Sequence, residues 1–204
     1  QRSIMLGGVV MAIGSFMLMS PTLPMFLLGL ATIVVGNGLF KPNISTMVGK
    51  LYAPGDARRD SGFTIFYMGI NAGALIAPLI CASFIGQKYG YRWGFFSAGV
   101  GMIIGLIVFQ IVKGSLGHVG KAPEGKTGFA PMVQVFIACA VMVAPVYFLL
   151  SKSDVLGVLL IVMMLGLVGY FIWSGIQSGE KEQLHRYIAM LILFAANILF
   201  WALF

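Results

Sequence analysis

The chain has 204 residues, of which 59% are hydrophobic and only 9% charged, and it carries a net charge of +7. An ordinary soluble domain is about 25% charged, so that class is excluded. Six long stretches carry no charge at all, from Ser3 to Phe40, Ser61 to Gln87, Trp93 to Val112, Thr127 to Ser151, Val155 to Gly179, and Tyr187 to Phe204. The basic excess therefore sits in short segments between apolar runs, which is the pattern of a membrane protein and gives no reason to expect nucleic acid as a partner.

A helix needs about 20 apolar residues to cross the ~30 Å hydrocarbon core. On that rule the sequence predicts an all-α integral membrane protein with seven spans and no β-sheet. The spans fall near residues 4–20, 25–50, 61–87, 92–113, 131–151, 154–176 and 186–204. Ser20–Pro24 (SPTLP) and Lys152–Ser153 are tight turns on one side of the membrane. Ala53–Asp60 (APGDARRD), Lys113–Gly128 and Gln177–His185 are links on the other. Sorting the cations by side gives Arg2, Lys50, Arg58, Arg59, Lys113, Lys121, Lys126, Lys181 and Arg186 against Lys88, Arg92 and Lys152. The richer side is cytoplasmic by the positive-inside rule. The pattern divides the chain into residues 1–113, a linker at 114–130, a helical hairpin at 131–176, a second linker at 177–185 and a last span at 186–204. Gln1 is not an initiator methionine, and Phe204 falls inside an apolar run, so the chain is expected to be a piece of a longer protein.

Lys41 is the exception to the charge pattern. It lies in a span, within GNGLFKPNISTM, where a lysine near mid-bilayer costs roughly 2.5–3.5 kcal/mol and usually marks a substrate or proton path. At 100° per residue, Asn37, Gly38, Lys41 and Ser45 fall within about a 100° arc. Pro42 removes one backbone donor and frees the carbonyl of Gly38. Exposed backbone at that depth is tolerated where it lines a cavity. The competing reading is that the ammonium snorkels to the cytoplasmic interface. The third span repeats the design, with Thr64, Tyr67, Asn71 and Pro78 on one face and Gly69, Gly73 and Ala77 on another. Small residues every four positions, also at Gly101 and Gly105, are expected to let helices pack closely. Asn71 serves as helix–helix glue or as a ligand contact. The last span places Asn197 and Trp201 four residues apart, and Trp201 reads first as an interfacial anchor.

Other signals carry less. Gly120–Thr127 satisfies the phosphate-loop pattern, but that loop works between a buried strand and a helix N-terminus, and here it follows a membrane span. It reads as a solvated basic linker. Asn43-Ile44-Ser45 matches a glycosylation triplet inside a span. Cys81 and Cys139 are too far apart to suggest a metal pair or a disulfide. His118 and His185 read as surface residues of the linkers. No metal site and no cofactor are expected.

Phe63–Leu75 (FTIFYMGINAGAL) resembles the signature of the proton-coupled oligopeptide transporter family of the major facilitator superfamily. Gly36–Tyr52 resembles the family's preceding helix, lysine included, and Asn197–Phe204 (NILFWALF) resembles its seventh helix. The resemblance implies a partial major-facilitator fold: helices three to six, two inserted helices at 131–151 and 154–176 as in bacterial members, and the start of helix seven. It implies a symporter of the cytoplasmic membrane that imports di- and tripeptides with protons by alternating access. By the same resemblance Lys41 would bind the peptide carboxylate and take part in proton coupling. Asn71 would contact the peptide backbone, and Trp201 would line the cavity. Asn37, Ser45, Thr64, Tyr67 and Asn197 are further cavity candidates. The family's ExxER motif, the acidic residue after the last position of this chain and the C-terminal half would be supplied by the rest of the protein. The alternatives are the same fold carrying nitrate or another small anion, a seven-span receptor, and a nucleotide-binding membrane protein. A retinal-type receptor needs a lysine in the last span, and Tyr187–Phe204 has none.

Overall fold

The computed structural model describes residues 1–117, 119–120 and 129–203, without the side chains of Phe129, Ser153 and Trp201. With no water in the bilayer to satisfy peptide groups, each apolar run must close its own hydrogen bonds, and every one does so as a helix. In chain order these are α1 (Arg2–Met17), α2 (Leu23–Gly49), α3 (Arg58–Tyr89), α4 (Tyr91–Val112), α5 (Phe129–Ser151), α6 (Ser153–Gln177) and α7 (Lys181–Leu203). The described residues contain no strand. Six of the helices are long and apolar enough to cross a membrane. At 16 residues α1 spans about 24 Å and is the short one. The chain forms two compact bodies, Gln1–Ser151 and Lys152–Phe204.

Several helices begin earlier than hydropathy suggests. Pro24 sits in the first turn of α2, where its missing N–H costs nothing, so Leu23 and Pro24 belong to the helix and the turn shortens. Arg58, Arg59 and Asp60 form the first turn of α3, while Phe129 and Ala130 open α5 before Pro131. α7 starts at Lys181, five residues before the expected 186, and His185 lies on it. Its charged first turns are good helix formers, and Glu182 and Arg186 pair at i, i+4 with 2.7 Å between them. The second linker is thereby cut to Ser178–Glu180. The Gly120–Thr127 phosphate-loop pattern and His118 lie, apart from Gly120, outside the described residues.

The first body is organised around α1 and α2, which share its most extensive interface. Two glycine pairs set their antiparallel register. A Cβ added to Gly7 would stand 2.7 Å from the carbonyl oxygen of Gly36, and one added to Gly36 would stand 2.8 Å from that of Gly7. One turn-pair further on, Gly14 and Gly29 repeat the arrangement at 2.8 and 2.9 Å. Only a missing side chain permits backbones this close. α4 packs antiparallel on the other side of α1, with Gly99 against the Phe16 ring and Gly8 against Leu106. Phe16 and Phe96 bring their rings to 5.6 Å, and Phe26 reaches Phe95 at 5.8 Å. α5 packs on α2. In the second body α6 and α7 form an antiparallel hairpin in which Gly175 admits Leu184 and Tyr187, and the Phe171 and Tyr187 rings lie 5.3 Å apart.

Among the described residues, the small residues that pack closely are not those of the four-residue repeats. A Cβ on Gly69, Gly73, Gly101 or Gly105 would meet nothing within 4 Å. The α1–α2 approaches use glycines seven apart, two helical turns, where the expectation used a spacing of four. Replacing Gly36 by Val in the full-length protein should cost about 1–3 kcal/mol through overpacking. Thermal unfolding in detergent should show a clear drop for Gly36→Val and little change for Gly49→Ala, whose added Cβ would sit at an ordinary 3.4 Å from Phe63.

Candidate functional site

The glycine seam fixes how α2 is rotated. Gly29 and Gly36 lie within about 20° of each other and face α1. Counting round the helix from Gly36, Asn37, Gly38, Lys41 and Ser45 fall at about 100° to 200°, on the opposite side. Their exposure agrees: Asn37, Gly38 and Lys41 are exposed and Ser45 is partly buried. α2 runs unbroken through Pro42. Pro42 gives the Gly38 carbonyl no amide proton, and two polar side chains just beyond it turn back onto the backbone. Asn43 donates from Nδ2 to the Leu39 carbonyl at 2.7 Å, and Thr46 donates to the Pro42 carbonyl at 2.8 Å. Lys41 has no hydrogen bond or ion pair among the described residues. Eight residues, about 12 Å, separate it from the C-terminal end of α2 at Gly49.

α3 meets α2 only near the loop that joins them. Gly49 lies by the Phe63 ring, and Gly62 lies under Tyr52. Asn71 is eight residues, about 12 Å of helix, beyond Phe63, and Lys41 is the same number of residues along α2 from Gly49. No contact joins them. All residues from 67 to 80 are exposed, so neither the polar face (Thr64, Tyr67, Asn71) nor the small face (Gly69, Gly73, Ala77) is covered by the described residues. The polar side chains use their own helix: Thr64 donates to the Asp60 carbonyl at 2.9 Å, and Asn71 donates from Nδ2 to the Tyr67 carbonyl at 2.9 Å. The Asn71 carbonyl oxygen remains an acceptor, and Tyr67 presents its ring beside Phe66 at 5.8 Å. Asn197, which is exposed, and Trp201 lie on α7, in the second body.

Two features escaped the sequence reading. The glycines of the seam carried a visible signal, the repeated seven-residue spacing in two successive spans. The other is the winding of α3 after Pro78, which widens to a π-type turn over Leu79–Gly86. Nothing in the hydropathy marks it. Its wider turn accompanies the packing of this stretch on α4, where Gly94 lies against the Cys81 carbonyl.

The loop that aims α3 is built from short-range chemistry. Pro54 and Gly55 occupy the centre of a turn closed by the Asp56 amide donating to the Ala53 carbonyl at 3.1 Å, and Gly55 takes φ of 83°. Asp56 then accepts from the Arg58 backbone amide at 2.9 Å and from its guanidinium at 3.1 and 2.8 Å. These bonds from Arg58 hold the Asp56 carboxyl below the usual carboxylate range.

Taken together, apolar helices of this length and a glycine-locked pair define a helical membrane protein, and a polar stripe with a lysine runs along one of its helices. The sequence profile of the POT family matches residues 1–204. The chain belongs to the POT family. It is 38% identical to an uncharacterized transporter of Bacillus subtilis over 99% of its own length and 42% of that protein. It is 34% identical to a di-/tripeptide transporter of Lactococcus lactis, again over 99% of this chain and 43% of the relative. Among solved structures, a mutant peptide transporter POT in complex with alafosfalin superposes with a TM-score of 0.73 at 36% identity, covering 98% of this chain and 42% of that one. The same name in complex with sulfate gives 0.73 at 34%, covering 98% and 43%. The chain thus spans less than half the length of the proteins it matches. The fold is that of a major-facilitator transporter in part, and the protein is a multi-pass protein of the cytoplasmic membrane.

Asp56 is more acidic folded than unfolded, so its contribution to the α2–α3 turn is complete above the ordinary carboxylate value of about 3.9. It is lost as pH falls through the lowered one. Carboxyl-carbon NMR titration of Asp56 in the full-length protein should give a midpoint below that value, and Arg58→Gln should move it upward.

Proposed function

We propose that the chain is part of a proton-coupled symporter that imports di- and tripeptides by alternating access. The observation that carries the reading is the lysine stripe of α2, turned away from the α1 seam in a chain of this family. Exposed Lys41 supplies a cation at the right end for a peptide carboxylate, and protein carboxylates outside this chain compete for it. Peptide and proton then share one electrostatic partner, which links their fluxes. Asn71 offers an amide carbonyl to the peptide backbone, and the family resemblance adds Trp201 as a substrate contact. Asn37, Ser45, Thr64 and Tyr67 are further candidate contacts beside them, and Asn197 is one on α7. The proton is the coupling ion; no cofactor or metal is required, no covalent chemistry is involved, and nucleic acid has no role. The Lactococcus lactis relative and the solved structures above are named for peptides, and nitrate finds no support among them. A receptor or nucleotide-driven reading has no observation in its favour.

The test is uptake of a labelled dipeptide by liposomes holding the full-length protein, with and without an inward proton gradient. Gradient-driven accumulation is expected, and its absence for every dipeptide tried refutes the reading. Lys41→Gln should abolish proton-driven accumulation while thermal unfolding stays unchanged; normal accumulation removes Lys41 from the mechanism. Asn71→Ala should weaken peptide binding about five- to tenfold, the worth of one polar contact. Binding of a labelled dipeptide to purified protein measures it.

A further inference from the structure

α2 and α4 both pack on α1, and α5 packs on α2. The chain that leaves α4 at Val112 must therefore pass the end of α1 to reach the α2 side, where α5 opens at Phe129. The described part of this crossing is folded. Lys113–Leu116 wind into one 3-10 turn. The Gly117 amide donates to the Gly114 carbonyl at 3.3 Å, and the Val119 amide donates to the Leu116 carbonyl at 3.1 Å. Gly117 and Gly120 take φ of 57° and 72°, where a side chain would be strained. Two helix ends meet the chain here. The Val119 carbonyl accepts from Gln1 Nε2 at 2.9 Å, one residue before α1 begins. A Cβ on Gly120 would stand 2.8 Å from Met47 Sδ, in the last turn of α2, and 3.4 Å from Gln1 Cγ. Met47 is 7% exposed, and Val119 and Gly120 are half-buried. Gly120 opens the phosphate-loop pattern, yet its missing side chain serves a close approach to a methionine.

We propose that Lys113–Gly117, with Val119 and Gly120, is a strap that clamps the C-terminal ends of α2 and α4 to the N-terminal end of α1. The glycine seam reaches only to Gly7, whose missing Cβ leaves room for the Leu39 Cβ and the Phe40 nitrogen at 3.0 Å. Lys41 comes next in the chain. Met47, where the strap lands, lies six residues or about 9 Å further along α2. The segment that carries Lys41 is thus fixed on both sides, by the seam before it and by the strap after it. With the strap released, nothing in the seam stops the last turns of α2 from leaning away from α1.

The experiment is hydrogen–deuterium exchange of the full-length protein in detergent, read by mass spectrometry on peptides covering the strap and the end of α2. The Gly117 and Val119 amides should exchange well below the rate of an open chain. Gly120→Val adds both the strained φ and the collision with Met47, so it should speed exchange about tenfold or more in the strap. It should also speed exchange at the Lys50 amide, which donates to the Thr46 and Met47 carbonyls at 3.1 Å. Gln1→Ala removes one hydrogen bond and should speed both segments about fivefold; it decides the matter if Gly120→Val does not fold. Gly114→Ala, whose added Cβ would meet nothing within 4 Å, should change neither. Open-chain exchange of the strap in the unaltered protein overturns the proposal, and so does an unchanged strap in the Gly120→Val and Gln1→Ala proteins. Faster exchange confined to the strap, with the end of α2 unaffected, also overturns it and leaves a local turn that clamps nothing.

Discussion

The contact on which the first body depends is backbone against backbone. Gly7 with Gly36, and Gly14 with Gly29, let α1 and α2 approach until a single methyl group would collide with a carbonyl oxygen. Lipid tails are as apolar as leucine, so burying leucines gives two membrane helices little reason to associate. Close packing of small residues provides one. The consequence reaches the site. Because Gly29 and Gly36 must face α1, the rotation of α2 is fixed, and the stripe holding Asn37, Lys41 and Ser45 has to point the other way. A lysine that would otherwise be free to choose a face is assigned one by glycines five and twelve residues upstream.

α3 obeys two different constraints along its length. Its first half, through Asn71 to Pro78, touches the body only beside the α2–α3 loop and keeps its polar side chains satisfied on its own backbone. Its last stretch winds more widely and packs on α4. Pro78 stands at the change. It cannot donate to the Ala74 carbonyl, so the regular ladder is already interrupted where the wider winding begins. The helix is thus anchored at both ends, by the Asp56–Arg58 turn and by α4, with its polar middle uncovered by the described residues.

Much of this was legible beforehand. Uncharged runs of about 20 residues became helices because a bilayer permits no other way to satisfy isolated peptide groups. The motif from Phe63 to Leu75 named the family, and the stripe around Lys41 followed from helical periodicity alone. The helix ends were less legible. Hydropathy stops at the first charge, whereas α3 and α7 extend into Arg58–Asp60 and Lys181–Arg186, since helix continuity depends on backbone geometry and not on polarity. Glycine spacing was legible only in part. The four-residue repeats at Gly69–Ala77 and Gly101–Gly105 drew notice, yet they meet no atom of the described chain, while the seven-residue repeats make the contacts.

The sequence by itself determined that the chain is helical and membrane-embedded, which family it belongs to, and which residues share the lysine face. These are properties of one helix at a time, set by local periodicity and by the solvent the chain must tolerate. Only the tertiary structure decided which glycines touch and which way the lysine face turns. Each of those depends on the register between two helices, and register is fixed by contacts between residues far apart in the chain.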